Sequence, residues 1–219
     1  SDLRKVPRFV DEFTERLAGA GKDVKDVPIT LRVYRRDLDD RDLVDLPGIT
    51  RVAIEGQSMP DAELEARLKA MCTQYMSSDN CIVLNVVSAM VDFATSGSLQ
   101  LARQVDPSGK RTLLCITKVD EMNDEGRLAV KVRGAIRELH LRPEHVFCVR
   151  NRSQRESEDR LSLAQARKLE AKALDQPELK RGAAAEGYGL GVGALGERLV
   201  RIQADRIMES LPALSMLIT

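Results

Sequence analysis

Residues 113–120 read Leu113-Leu114-Cys115-Ile116-Thr117-Lys118-Val119-Asp120, an apolar run that ends in a short polar motif. The same arrangement occurs twice more. The run at residues 42–46 ends within the motif Asp45-Leu46-Pro47-Gly48. The run Val146–Val149 is followed by Asn151-Arg152-Ser153-Gln154. In an open parallel sheet, ligands bind outside the carboxyl ends of the strands. The order of the three motifs and their places at strand ends therefore predict one shared ligand site.

Apolar runs alternate with helical periodicity through the middle of the chain. Strands are predicted at Cys81–Val87, Leu113–Ile116 and Val146–Val149, and helices at residues 96–105, 128–139 and 161–174. Strands that are apolar on both faces need cover on both faces. The pattern predicts an α/β fold of the phosphate-loop GTPase type, with a mostly parallel sheet covered by helices on both faces.

The two ends of the chain depart from this alternation. A helix is predicted from Val6 to Leu17, followed by two strands at residues 29–33 and 42–46 that a short turn should pair antiparallel. A Gly-rich stretch at 182–193 breaks the alternation, and an amphipathic helix should run from Leu195 to Leu211-Pro212. We therefore expect one domain at residues 1–190 and a hinge with a final bundle helix at 191–219.

Composition excludes several classes of function. The chain has 34 basic and 34 acidic side chains, a formal net charge of zero and no Trp, so nothing in it favours nucleic acid as a partner. Its four cysteines lack the spacing of metal ligands, which argues against a structural zinc site and fits a reducing compartment. No apolar run approaches the roughly 20 residues needed to span a bilayer.

The first motif has the residue types of a metal and phosphate contact. An Asp at a strand tip can hold Mg²⁺ through a water, which assigns that role to Asp45. The backbone N–H of Gly48 can approach a γ-phosphate because no Cβ is in the way. Taken alone, Asp45-Leu46-Pro47-Gly48 is equally a good turn sequence.

The second and third motifs have the residue types of a guanine pocket. The carboxylate of Asp120 can accept hydrogen bonds from the N1 and N2 donors of guanine, a pair that adenine lacks. The aliphatic stem of Lys118 can cover the base, and the loop Asn151-Arg152-Ser153-Gln154 can close the other side. Each loop alone could be a solvated polar loop. Together, in this order and at strand ends, the motifs predict a guanine-nucleotide site.

Two glycine motifs resemble nucleotide-binding loops, but we do not interpret either as a phosphate-binding site. Gly19-Ala20-Gly21-Lys22 resembles a phosphate loop, but Asp23 stands where Ser or Thr should bind Mg²⁺, and a helix precedes it instead of a strand. The sequence from Gly191 to Gly196 matches G-x-G-x-x-G, yet no strand is predicted at Ala183–Tyr188 before it. We interpret the second motif as a flexible hinge.

At this point the residues resemble one family, the dynamin superfamily of large GTPases. The resemblance covers nearly the whole chain and rests on motif-containing stretches: residues 27–34, Leu43–Thr50, Val105–Pro107 with Gly109–Thr112, Val149–Gln154, and Leu211-Pro212. It implies GTP and magnesium as ligands and GTP hydrolysis as the activity. It also implies self-association through the GTPase face, membrane fission or remodelling by parts outside this chain, microtubule binding, and a cytoplasmic, peripherally membrane-associated location.

The resemblance also assigns roles to residues. Asp45, Leu46, Pro47 and Gly48 would face Mg²⁺ and the γ-phosphate, with Asp45 and Gly48 as the catalytic pair. The base pocket would be formed by Thr117, Lys118, Val119, Asp120, Asn151, Arg152, Ser153 and Gln154. Asn123 stands where many relatives have Asp, at a position that reaches the nucleotide of a facing protomer.

The family's phosphate loop and its first switch are missing from these 219 residues. Because phosphoryl transfer depends on such positioning groups, we expect this chain alone not to hydrolyse GTP. One alternative is an interaction module, a pseudo-GTPase that binds no nucleotide and only dimerises. Another is a small signalling GTPase, which the Asn151–Gln154 loop and the terminal helix disfavour.

Overall fold

The computed structural model describes residues 5–19, 24–34, 36, 42–49, 60–122 and 125–218. The chain divides into two units, Ser1–Tyr75 and Met76–Thr219. The first unit is mainly helical in its described part, and the second contains the β-sheet. The two units are described separately below.

In the first unit, helix α1 spans Val6–Ala18 and helix α2 spans Asp61–Met76, crossing the boundary by one residue. Pro7 lies in the first turn of α1, and Gly19 ends the helix in a positive-φ conformation, as the sequence predicts. Between the helices, residues 24–34 and 42–49 contain neither helix nor strand. The predicted antiparallel pair at 29–33 and 42–46 is therefore not confirmed.

A physical reason for the missing strand pair lies in its side chains. The alternating apolar residues Ile29, Leu31 and Val33 are 39–56% exposed. A strand is stabilised by ladder hydrogen bonds and by burial of one face. The described residues of this segment show neither, so an alternating sequence pattern alone did not define a strand here.

In the second unit, four parallel strands form one sheet in the order β1-β2-β3-β4. Their bounds are Val83–Ser88 for β1, Thr112–Thr117 for β2, Val146–Cys148 for β3 and Gly189–Leu190 for β4. The register places Thr117 opposite Ser88, and Cys148 opposite Ile116. The parallel α/β fold is thus confirmed, and the carboxyl ends of β2 and β3 lie side by side.

Helices cover both faces of this sheet. The helices of the second unit are α3 (Gly97–Val105), α4 (Glu125–Glu138), α5 (Gln154–Glu158), α6 (Leu163–Ala173), α7 (Pro177–Glu186) and α8 (Gly191–Ile218). One buried cluster packs Leu114 and Ile116 of β2 against residues of α3, α4 and α7. The other packs Leu113 and Cys115 against residues of α8. No described helix is both long enough and apolar enough to cross a membrane.

The Gly-rich stretch 182–193 forms regular elements. Residues 189–190 form β4, and the G-x-G-x-x-G sequence at Gly191–Gly196, where the sequence predicts a hinge, begins the continuous helix α8. A Cβ on Gly182 would collide with the hydroxyl of Tyr188, and one on Gly189 would collide with the ring of Phe147. These two glycines are explained by close packing. The end of the last helix predicted at Leu211-Pro212 is wrong, because α8 continues to Ile218.

Buried His145 connects the sheet to α8. It is 1% exposed, and its Nδ1 lies 3.1 Å from the carbonyl oxygen of Gly109 and 3.0 Å from that of Thr112. Its Nε2 lies 2.8 Å from Nη2 of Arg198 on α8. Carbonyls accept and a guanidinium donates, so this network assigns the proton to Nδ1 and makes the ring neutral. Burial, and then the charge of Arg198, lowers the pKa of His145.

This network predicts a stability loss in mild acid. The pKa of His145 in the folded state lies below its ordinary 6.5, so the unfolded chain binds more protons as the pH falls below 6.5. The stability that neutral His145 contributes is fully present above pH 6.5 and is lost as pH falls toward the folded pKa. Urea unfolding followed by circular dichroism, repeated between about pH 7.5 and pH 5, measures this loss.

Two variants assign the effect. His145→Gln should be less stable at neutral pH and should show a smaller fall in unfolding free energy on acidification. His140→Gln, which removes the exposed second histidine, should keep the wild-type pH dependence. An unchanged slope in His145→Gln would contradict the assignment.

Candidate functional site

The second and third motifs meet at the carboxyl edge of the sheet. The second motif begins with Thr117, the last residue of β2. The Oγ1 atom of Thr117 donates to the carbonyl of Val87 at 3.1 Å. The third motif follows β3. The end of β3 is fixed by a hydrogen bond from the N–H of Val149 to the carbonyl of Ile116 at 2.8 Å. The parallel register therefore brings the predicted base-binding loops together.

A tight turn places Asp120 at this edge. Lys118 has a left-handed backbone with φ of 58°, and Val119–Glu121 then form one turn of 3₁₀-helix. A side chain with a Cβ adopts this conformation at a cost, so surrounding contacts must hold it. Val119 is fully buried, which anchors the turn, while the side chain of Asp120 is 35% exposed. Nζ of Lys118 lies 3.3 Å from Oε1 of Glu121.

A capping box shapes the loop after β3. Ser153 is the N-cap of α5: its side chain accepts from the N–H of Glu156, and Glu156 accepts from the N–H of Ser153 in return. Arg152 donates to the carbonyl of Leu161 at 2.8 Å, and Gln154 donates to Glu158 at 2.9 Å. Asn151 is exposed. The loop is thus rigid at Ser153 and open to solvent at Asn151.

Arg150 joins the two loops. Its Nε donates to Oδ2 of Asp120 at 3.0 Å, and its Nη2 donates to Oε1 of Glu156 at 2.6 Å. The arginine side chain is only 11% exposed. The hydrogen bond with Glu156, more than any other contact, raises the pKa of Arg150, and the same bond lowers the pKa of Glu156. Arg150 and Glu156 therefore stay ionised at neutral pH.

Buried Glu170 of α6 connects the start of the Asn151–Gln154 loop, called the base loop below, to the last helix. Its Oε1 accepts from the N–H of Arg150 at 3.2 Å and from the N–H of Val192 at 3.1 Å. The residue is 7% exposed. Val192 lies in the first turn of α8, where free N–H groups favour a carboxylate. One side chain thus fixes both the end of β3 and the start of α8.

The thiols below the site are unsuited to chemistry. Burial raises the pKa of Cys115 to about 11 and that of Cys148 to about 12. Since the thiolate is the reactive form, both side chains act as small apolar residues at neutral pH. What the site can do chemically therefore depends on its polar loops, which offer a carboxylate, hydrogen-bond donors and exposed backbone.

The remaining predicted site residues belong to the first unit or lie outside the described residues. Asp45-Leu46-Pro47-Gly48 belongs to the first unit, where Asp45 is exposed and a Cβ added to Gly48 would meet no atom within 4 Å. Within the described ranges, no three His, Cys, Asp or Glu side chains are grouped to hold a metal ion. A single exposed carboxylate fits a magnesium ion bound through water, with phosphates as its other ligands. Asn123 lies outside the described residues.

Sequence reasoning missed Arg150, Glu156 and Glu170. For Glu156 a signal existed, because Ser153 followed three residues later by Glu is a capping-box pattern. Arg150 precedes the recognised motif, and its pairing with Asp120 depends on the strand register. Glu170 lies within a charged helical stretch and has no local mark of burial.

Comparison of the sequence with known proteins finds relatives in one family. A sequence model of the Dynamin family matches residues 1–119. Dynamin of Drosophila melanogaster is 35% identical over 215 residues, and Dynamin-2 of Homo sapiens is 37% identical over the same length. These alignments cover 98% of this chain and 23% and 24% of the two relatives. Dynamin-related protein DNM1 of Saccharomyces cerevisiae is 42% identical over 131 residues, which cover 60% of this chain and 17% of that relative.

The chain spans about a quarter of the length of the two animal relatives that match it nearly end to end. The full-length matches extend past the base loop at Asn151–Gln154, which the family model does not reach. Together with the parallel sheet and the paired loops at its carboxyl edge, these matches show that the chain belongs to the dynamin family and carries GTPase-domain sequence of that family.

Proposed function

We propose that this chain supplies the guanine-recognising part of a dynamin-type GTPase. The observation that carries the proposal is the junction of the Thr117–Asp120 and Asn151–Gln154 loops, with the half-exposed carboxylate of Asp120 between them. Asp120 reads the N1 and N2 donors of guanine, and adenine offers no such pair. The stem of Lys118 and the Asn151 loop cover the two sides of the base.

The first motif is proposed to contact the metal and the phosphates. Asp45 would hold a magnesium ion through a water, and the backbone of Gly48 would face the γ-phosphate. The family membership supports GTP as the ligand. When bound, magnesium supplies charge neutralisation for the phosphates, and the part of this chain is to orient it.

The proposed role in the complete protein follows the relatives. GTP binding is coupled to self-association through the GTPase face and to fission or remodelling of membranes, in a cytoplasmic protein that associates with them peripherally. Helix α8 transmits the state of the site to the rest of the protein, and the hydrogen bonds of Glu170 to Arg150 and Val192 support this path. Microtubule binding is supported by the resemblance alone.

A second candidate, a pseudo-GTPase that only binds partners, is favoured by one observation. Oδ2 of Asp120 is occupied by Arg150, so the specificity carboxylate is engaged within the chain itself. In such a module the ion pair would be permanent, and no base would enter. Nucleotide binding therefore separates the two candidates.

The guanine site predicts selective binding of GDP over ADP by the 219-residue chain, measured by ligand-observed NMR titration. Asp120→Ala should weaken GDP binding by roughly tenfold to a hundredfold, since hydrogen bonds to a charged group contribute about 1.5–3 kcal/mol. Binding of ADP should change little, so selectivity should be lost. Asp205→Ala, which removes an exposed carboxylate on α8, is the matched control and should bind GDP like the wild type. Binding of neither nucleotide would favour the pseudo-GTPase, and equal binding of GDP and ADP would contradict guanine recognition by Asp120.

Hydrolysis should be undetectable in this chain alone. Its 219 residues contain no G-x-x-x-x-G-K-[ST] sequence, and a phosphate loop of that kind provides much of the positioning on which phosphoryl transfer depends. A phosphate-release time course with GTP and magnesium should not rise above that of Asp120→Ala. Turnover that the Asp120 substitution abolishes would contradict this expectation and assign the whole catalytic site to these residues.

A further inference from the structure

The carboxylate that reads guanine in the proposed function is engaged by an arginine of the same chain. Nε of Arg150 lies 3.0 Å from Oδ2 of Asp120, and the arginine is 89% buried. The Asp120 side chain keeps 35% of its surface exposed, so part of the carboxylate is reachable from solvent. The contact therefore lies at the recognition edge itself.

Guanine and arginine present the same donor pattern. The N1–C2–N2 edge of guanine is a planar guanidine-like group with two N–H donors pointing the same way, and a guanidinium offers such donors in a rigid fork. A carboxylate offers about four acceptor positions, and Nε of Arg150 takes one of them on Oδ2 of Asp120. A base that donates from N1 and N2 along the same side of the carboxylate competes with Arg150 for that position.

One further contact pattern favours the departure of Arg150. Its Nη2 bonds to Glu156, but its Nη1 is buried and has no hydrogen-bond partner among the residues that the structure describes. A buried donor without a partner costs free energy, and this cost is recovered when the group reaches water. Glu156 lies in the first turn of α5, where it is half-buried and can keep its bond to Nη2 while the rest of the guanidinium turns outward.

We propose that Arg150 is a displaceable internal competitor for guanine, which occupies Asp120 in the empty site and sets the affinity of the site for nucleotide. The proposal rests on the guanine site proposed above. If only the fraction of molecules with Asp120 free can bind, the apparent dissociation constant is the intrinsic one divided by that fraction. Arg150 thus weakens the binding of every base that needs Asp120 by the same factor.

The test is nucleotide affinity of Arg150 variants of the 219-residue chain, measured with GDP and with IDP, whose hypoxanthine lacks the 2-amino donor. Arg150→Ala should tighten GDP binding about threefold to tenfold, the range of a partly exposed ion pair. It should tighten IDP binding by the same factor, so the ratio of the two affinities stays at the wild-type value. A role of Arg150 in contacting the 2-amino edge would change this ratio instead.

Further variants separate charge and folding from competition. Arg150→Lys keeps the positive charge but carries its donors on one nitrogen, in place of the separate Nε and Nη2 that bond to Asp120 and Glu156, so its affinity should lie between those of wild type and Arg150→Ala. Arg181→Ala removes an exposed arginine of α7 that pairs with Glu178, and it should leave GDP affinity unchanged. Circular dichroism melts of each variant check that the fold is retained.

The outcomes distinguish this proposal from the function on which it rests. If Asp120→Ala still abolishes GDP selectivity but Arg150→Ala and Arg150→Lys bind GDP no more tightly than wild type, the competitor is overturned and the guanine site stands. If no variant binds GDP, or if Asp120→Ala binds it normally, the guanine site itself fails. Tightening in both Arg150 variants with a constant GDP-to-IDP ratio supports both.

Discussion

The parallel register between β2 and β3 is the constraint on which the site depends. Ile116 pairs with Cys148, so the two strands end at the same level and their following loops emerge together. A shift of one residue would exchange Leu114 and Ile116 with Leu113 and Cys115 between the two faces of the sheet. Since both faces are buried, packing fixes the register, and the register in turn brings Arg150 within hydrogen-bond distance of Asp120.

Buried polar side chains then extend this order beyond the sheet. His145 connects the carbonyls of Gly109 and Thr112 to Arg198 of α8, and Glu170 connects the end of β3 to Val192 of the same helix. Such groups are costly to bury unless their hydrogen bonds are made, which ties each partner to one geometry. Helix α8 is therefore held at two points, one of them directly behind the base loop. A change in that loop has a physical route into the last helix.

Much of the second unit could be predicted from its sequence, because its strands are continuous apolar runs and its helices show clear periodicity. Strands β1 to β3 and helices α3, α4 and α6 lie within a few residues of their predicted bounds. The two-residue strand β4 and the short helix α5 leave no comparable pattern. The close packing of Gly182 by Tyr188 and of Gly189 by Phe147 cannot be seen in a linear sequence. Residues 29–33 had the alternation of a strand without the pairing that makes one.

The motifs of the candidate site can be found in the sequence, but the contacts between them cannot. Asp120 was predicted as a site residue because its residue type and its place after a strand carry a chemical meaning, whereas the partner on its carboxylate comes from a distant part of the chain. The roles of Asp45 and Gly48 remain predictions from the motif and the resemblance.

The most direct measurement of the central claim is the NMR signal of the Arg150 Nε–Hε group, identified by its absence in Arg150→Lys. In the free chain it should show the downfield shift and slow exchange of a hydrogen-bonded guanidinium. Saturating GDP should change it, and the same concentration of ADP should not. A signal that GDP leaves unchanged, or that both nucleotides alter equally, would contradict the claim that guanine and Arg150 share the carboxylate of Asp120.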